Sequence, residues 1–439
     1  MILADAVLAL LLAGLSAYVV LGGADFGGGI WDLFAGRGAA GERRRALTER
    51  SIGPVWEANH VWLIFVLVLL WTGFPAAFGA IMSTLAVPLF LAALGIVLRG
   101  SAFAFRHEVA AGRPRLALGA VFAIASVLTP FFLGAAIGGI ASGRVPAGNA
   151  AGDPVASWAN PTSLLIGLLG VAAGAYLAAV YLAADASRAG EADLVESFRR
   201  RALGSGVVAG ALALGGLLVV RRDSPVLWED LSGAGLPLVA LSAAAGIATL
   251  GLVARRRFRL ARAAAALAVA AIVWGWAVAQ YPDVLPGALT IAEASAGRPT
   301  LVAVLVAAGL GAPVLAASLG LLFRLVLSGR LDQPLGPAVH PGRAETRDER
   351  APRPAPVSGR ASRRGEDASR RPRLFPAALA AFLLGAALMI FVDNPAALAA
   401  GVLLVLAFVP IGLWAIATPA RLASDPQDDP PVPRGRANR

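Results

Sequence analysis

Glu57 and His60 stand three residues apart at the start of an apolar stretch, SIGPVWEANHVWLIFVLVLLWTGFP, from Ser51 to Pro75. In a helix that spacing puts a carboxylate and an imidazole on one face. Both groups exchange protons, and placing them in a hydrophobic span costs free energy. The pair therefore reads as part of a proton relay or ion path. The plainer alternative is a tie between helices, with Glu57 bonded to His60 or His60 bonded to a nearby carbonyl. A third proton-exchanging group, Asp25, sits in the run Gly23-Ala24-Asp25-Phe26-Gly27-Gly28-Gly29. No strand precedes that run and no GK[ST] follows, which argues against a phosphate loop. Glycines in a membrane bundle instead permit close helix packing. Trp56, Trp62 and Trp71 read as interfacial anchors and packing groups, and Arg99 and Arg106 as anchors at the membrane surface.

The rest of the inventory excludes several chemistries. Cysteine is absent, so thiolate metal sites, disulfides and cysteine nucleophiles are excluded. Of the three histidines, His107 falls in a connection and His340 in a polar linker, leaving His60 alone within a span. A haem held between two inward-facing histidines cannot be built from that set. No zinc signature, Ser/His/Asp set or nucleotide fingerprint is present. The chain is expected to bind no cofactor and no metal through its own ligands.

The elements that must position these residues are membrane helices. The chain has 439 residues, 58% hydrophobic and 15% charged, with mean hydropathy +0.72. Repeated apolar runs of about 20 residues define a polytopic helical membrane protein. The first lacks a basic leader and a cleavage site, so it reads as a retained span. The expected spans are 3–22, 54–74, 78–98, 116–140 (interrupted at Thr129-Pro130), 161–183, 202–220, 235–254, 263–279 and 301–327. The fold class is all-α: a polytopic membrane helical bundle of nine core transmembrane helices plus a C-terminal two-helix hairpin. Residues 1–328 form the membrane domain, 329–373 a disordered Arg/Pro-rich cytoplasmic linker, 374–418 the two-span hairpin, and 419–439 a disordered tail.

The net charge of +11 comes from arginine without a single lysine, and it is distributed by topology. Odd-numbered connections carry most of it (Arg37, Arg43, Arg44, Arg45 and Arg50 in the first). Even-numbered ones carry little, such as Arg144 in the fourth. By the positive-inside rule the odd connections and the C-terminus are cytoplasmic and the N-terminus is outside. Asp25, near the end of the first span, then joins Glu57 and His60 at the cytoplasmic face. This pattern argues against nucleic acid as a partner. The charge of the 329–373 linker could touch anionic lipid headgroups, with a merely solvated linker the plainer reading.

The motifs GADFGGGIWDLFAG, ERRRALTERSIGPVWEANHVWLIF and TGFPAAFGA together resemble subunit II of cytochrome bd-type quinol oxidases. Asn160-Pro161 and YPDVLPGALTIAEASAGRPTL agree with that likeness, which covers about residues 21–330. The resemblance implies a haem-free, nine-helix subunit of a bacterial inner-membrane terminal oxidase, not catalytic alone. Its partner would be a haem-bearing subunit I carrying haems b and d, or b-type haems only, and the quinol site. A small accessory subunit is a possible further partner, and membrane lipids and quinone are the expected non-protein partners. The complex would oxidise quinol, reduce oxygen to water and take up cytoplasmic protons. Glu57 takes the place of the family's proton-uptake acid, and Asp25 matches the acid of the first-span motif. Some members carry further acids where this chain has Gly22 and Ala104, and Gln or Glu at the position of His60. The competing readings are a proton-coupled secondary transporter using Asp25 and Glu57, and a non-catalytic scaffold. Against the transporter, the charges gather at one face and no second half repeats the acid motif.

Overall fold

The computed structural model describes residues 2–52, 56–105, 113–327 and 384. The expected linker, hairpin and tail lie outside the described residues, as do Pro54, Arg106, His107 and His340. Helix α1 (Ile2–Leu33) runs for 32 residues, about 48 Å at 1.5 Å per residue, and contains a π-helical turn at Tyr18–Gly22. A surface helix, α2 (Gly38–Ile52), leads into α3 (Trp56–Gly73). Next come α4 (Pro75–Thr84), α5 (Ala86–Phe105), α6 (Arg113–Ala141) and α7 (Pro161–Arg188). The order continues with α8 (Ala192–Asp223), the short α9 (Pro225–Ser232), α10 (Leu236–Ala254) and α11 (Phe258–Gln280). A small antiparallel hairpin, β1 (Asp283–Leu285) and β2 (Leu289–Thr290), and α12 (Ile291–Ala294) precede α13 (Arg298–Leu327).

Among the described residues, eight helices are long and apolar enough to cross a membrane, and a bent pair makes a ninth. That pair corrects one expected boundary. The apolar run after Gly73 does not continue straight into a third span. Phe74 leaves helical geometry, Pro75 starts a new helix, and the chain bends by 120°. The third crossing helix begins only at Ala86, eight residues later than expected from hydropathy alone. Thr129-Pro130, expected as an interruption, lies inside continuous α6. A packed membrane bundle tolerates proline because neighbouring groups and local adjustments serve the freed backbone.

Packing depends on small residues. A β-carbon on Gly27 would collide with the Gly174 carbonyl of α7, and one on Gly29 with the Ser126 hydroxyl of α6. The glycine run therefore continues α1 as helix and lets its backbone lie against two neighbours, as the sequence suggested. Asn160 caps α7 by accepting from the Ser163 N–H at 2.9 Å, and Pro161 occupies the first helical position.

The connections sort into two ends. Arg43 of the first connection meets Glu191 of the fifth at 3.1 Å, and Arg256 of the seventh meets Glu196 at 3.2 Å. On the other side, the Ala150 N–H donates to Ser83 Oγ at 2.7 Å. Arg144 pairs with Asp223 at 3.0 Å, and the Ala296 N–H donates to the Gly73 carbonyl at 2.8 Å. The first, fifth and seventh connections thus share one end of the bundle, and the second, fourth, sixth and eighth the other.

Candidate functional site

Asp25 and Arg99 form a buried ion pair between α1 and α5, with only 3% and 2% of their surfaces exposed. Arg99 Nη2 donates to Asp25 Oδ1 at 2.7 Å and Nη1 to Oδ2 at 3.0 Å, a two-pronged fit of guanidinium to carboxylate. Nη2 also donates to the Asp25 carbonyl at 3.1 Å, and Nε to Ser126 Oγ at 3.0 Å. The Ser126 hydroxyl in turn donates to the Phe122 carbonyl at 2.7 Å. Phe26 and Phe122 place their rings 4.9 and 4.8 Å from the guanidinium carbon. The cation thus lies between two aromatic rings while its N–H groups face oxygen.

This geometry corrects two expectations. Arg99 is not a surface anchor: it lies six residues inside the Phe105 end of α5, about 9 Å along the helix. Asp25 is not a helix-end group: α1 continues eight residues beyond it, about 12 Å. Hydropathy placed both at span edges because the charged residue itself lowers the window average.

His60 belongs to the same neighbourhood. Its ring lies 5.9 Å from Phe26, 6.4 Å from Tyr18 and 6.2 Å from Trp56, centre to centre. Asp25 and Arg99 are within electrostatic reach of it. Among the described residues, His60 Nδ1 and the Tyr18 hydroxyl are buried polar atoms without a hydrogen-bond partner. Such atoms in a site with charge close by can receive a water or a proton. Glu57 occupies the first turn of α3, one turn before His60, and its side chain lies outside the described residues. Trp56 packs on Phe103 at 5.5 Å, Trp62 on Phe65 at 6.2 Å and Trp71 on Phe78 at 5.9 Å, as expected of packing groups.

The structure brings Asp25 and His60 together and adds Arg99, Ser126 and Tyr18, which sequence reasoning did not select. Arg99 had a usable signal. An arginine within a span needs a carboxylate, and Asp25 is an intramembrane acid seeking a base. Ser126 and Tyr18 carried none, since hydroxyls in membrane helices are common.

At the odd end, α2 is held by charge. Arg43 meets Asp193 at 2.8 Å as well as Glu191, Arg50 meets Glu191 at 3.0 Å, and Arg45 meets Asp32 at 3.2 Å. Hydrogen bonds from Arg43 and Arg50 hold the Glu191 carboxyl below its usual range.

Among the described residues no three His, Cys, Asp or Glu side chains converge on one point, and His60 is the single histidine. An axial pair for haem iron cannot be drawn from them.

Comparison with known proteins places these features in context. The family described as cytochrome bd terminal oxidase subunit II matches residues 3–326. Cytochrome bd ubiquinol oxidase subunit 2 of Bacillus subtilis is 34% identical over 92 residues, 21% of this chain and 26% of that protein. Cytochrome bd-I ubiquinol oxidase subunit 2 of Escherichia coli K12 is 29% identical over 129 residues, 29% of this chain and 33% of that protein. The aligned segments thus span between a quarter and a third of those relatives' lengths. The solved structure of bd oxidase from Geobacillus thermodenitrificans contains a chain that superimposes with a TM-score of 0.61 at 25% identity. The match covers 75% of this chain and 99% of that one.

Proposed function

The chain belongs to the cytochrome bd terminal oxidase subunit II family, and from that premise we propose that it is the haem-free subunit of a quinol:oxygen oxidoreductase in a bacterial inner membrane. The observation that carries the reading is the family match along residues 3–326, supported by an architecture that superimposes on nearly the whole of a solved bd oxidase chain. In this reading a subunit I partner holds the haems and the quinol site. The present chain stabilises that partner and conducts cytoplasmic protons toward it. Haem iron and oxygen chemistry belong to the partner.

The contribution of this chain's own residues follows from its geometry. Both Asp25 carboxylate oxygens are committed to Arg99, which makes the pair a fixed dipole inside the bundle rather than a free proton carrier. Glu57, on the first turn of α3, is the entry acid. His60, one turn further in, is the acceptor whose Nδ1 has no partner among the described residues. The arginine-rich odd end faces the cytoplasm, with the N-terminus outside, which sets Glu57 on the side from which protons arrive.

The test is turnover of the purified complex with quinol. Glu57→Gln removes the titrating proton while keeping shape, and the expected result is slower oxygen consumption together with slower proton uptake in liposomes. Removing a positioned proton-transfer group typically costs about 10²–10⁴-fold where that step limits the rate. Unchanged turnover and uptake refute the role of Glu57. Assembly of a fully active oxidase without this chain refutes the wider reading.

A further inference from the structure

A cavity of about 860 Å³ opens where α7 ends and α10 turns into α11, lined by Arg188, Arg256, Arg257, Arg259, Arg262 and Leu260 among others. Three of the five guanidiniums already have partners. Arg188 pairs with Asp185, Arg262 with Asp185 at 3.0 Å, and Arg256 with Glu196 at 3.2 Å. Arg257 and Arg259 are exposed and have no carboxylate partner among the described residues. Helix α11 also starts here. Its N-cap, Arg257, makes no side-chain capping bond, and the first backbone bond runs from the Ala261 N–H to the Arg257 carbonyl. The N–H groups of Phe258, Arg259 and Leu260 therefore lack an intrahelical acceptor, and the positive end of a 23-residue helix meets two unpaired cations.

Leu260 lines the opening, and Leu267 lies further along the same helix. Leu260 and Leu267 are 56% and 48% exposed. Seven residues apart, they share a face of α11 and extend about 10 Å down the bundle wall. Free inorganic phosphate would use the cations and leave the leucines idle, whereas a lipid uses both. We propose that this cavity holds the phosphate headgroup of an anionic membrane phospholipid, with its acyl chain lying along Leu260 and Leu267. Arg257, Arg259 and the α11 N-terminus bind the headgroup. The site lies at the ends of two candidate spans, Pro161–Arg188 and Phe258–Gln280, where helices leave the hydrocarbon. The inference needs the membrane placement of these helices and is independent of the oxidase reading.

The experiment is native mass spectrometry of the purified complex titrated with phosphatidylglycerol or phosphatidylcholine micelles. Wild type should retain one phosphatidylglycerol that Arg257→Gln/Arg259→Gln loses. Its apparent affinity should fall about 30-fold, which is about 2 kcal/mol at 1 kcal/mol per surface arginine. Phosphatidylcholine should show no difference between the two proteins, and Arg257→Lys/Arg259→Lys should retain phosphatidylglycerol. Equal retention by wild type and the glutamine variant overturns the proposal, as it would if an acidic segment of another subunit filled the cavity. So does equal affinity for phosphatidylcholine, or displacement of the lipid by inorganic phosphate alone. If the double variant does not assemble, Arg259→Gln alone should weaken retention about fivefold, and no change refutes the site.

Discussion

Breaking the Asp25–Arg99 pair from one side should be among the most destabilising substitutions in the bundle. Asp25→Ala removes two charge-assisted hydrogen bonds, those to Nη1 at 3.0 Å and Nη2 at 2.7 Å. At about 1.5–3 kcal/mol each, that is about 3–6 kcal/mol. Part of this is retained, because the residue-25 carbonyl, Ser126 Oγ and the two phenylalanine rings still contact the guanidinium. The cation nevertheless stays 2% exposed with its counter-charge gone. The net loss should be about 3–5 kcal/mol, the range for a buried charge stripped of its partner. Arg99→Met should cost a similar amount by stranding Asp25. The double variant Asp25→Ala/Arg99→Met strands nothing, so it should be less destabilised than the sum of the singles by about 2–3 kcal/mol. The assay is denaturant unfolding of the purified complex, followed by tryptophan fluorescence with an intact-complex readout by gel filtration. Losses below about 1 kcal/mol for both singles, or strict additivity in the double, would refute the claim that these two charges hold each other inside the apolar zone.

Two further outcomes follow from contacts elsewhere. Gly27→Ala should prevent α1 from seating on α7, because the added methyl meets the Gly174 backbone rather than a movable side chain. A loss of about 1–3 kcal/mol or more is expected, read as reduced yield and lower thermal stability of the complex. Gly215→Ala, with nothing near the new carbon, is the matched control. Glu191 should give the odd end a pH dependence. Its carboxyl is held below the ordinary value of 4.5 by Arg43 and Arg50, so its stabilising contribution is complete above 4.5 and is lost as pH falls through the lowered value. Glu191→Gln should lower the thermal midpoint at neutral pH, where the ion pairs contribute in full, and flatten the acid limb of a scan at low salt. An acid limb identical to wild type refutes the linkage.

The ninefold helical plan was readable because membrane helices announce themselves by length and apolar content, which depend little on tertiary context. Connections were readable by arginine content for a similar reason. What hydropathy could not supply was where a charge sits once the helix is packed. Arg99 and Asp25 each end an apolar window when considered alone, so each reads as a boundary. Considered together they cancel, and the helices carry both inward past the edge of the window. The same physics explains the misplaced start of α5. Residues 75–84 continue the apolar run, but Phe74 leaves helical geometry ahead of Pro75 and the new helix departs at 120° from α3, and composition does not record direction.

His60 is the point where these arguments meet. Spacing singled it out as the partner of Glu57, and the structure seats it beside the Asp25–Arg99 pair in a pocket of Tyr18, Phe26 and Trp56. A structural tie would use the ring nitrogens, yet Nδ1 is buried and without a partner among the described residues. An unpaired acceptor or donor beside a fixed dipole costs stability unless something else compensates for it. Of the two roles that spacing allowed, tie or relay, the relay is the one we propose, since a proton or water at Nδ1 would give that buried atom a partner.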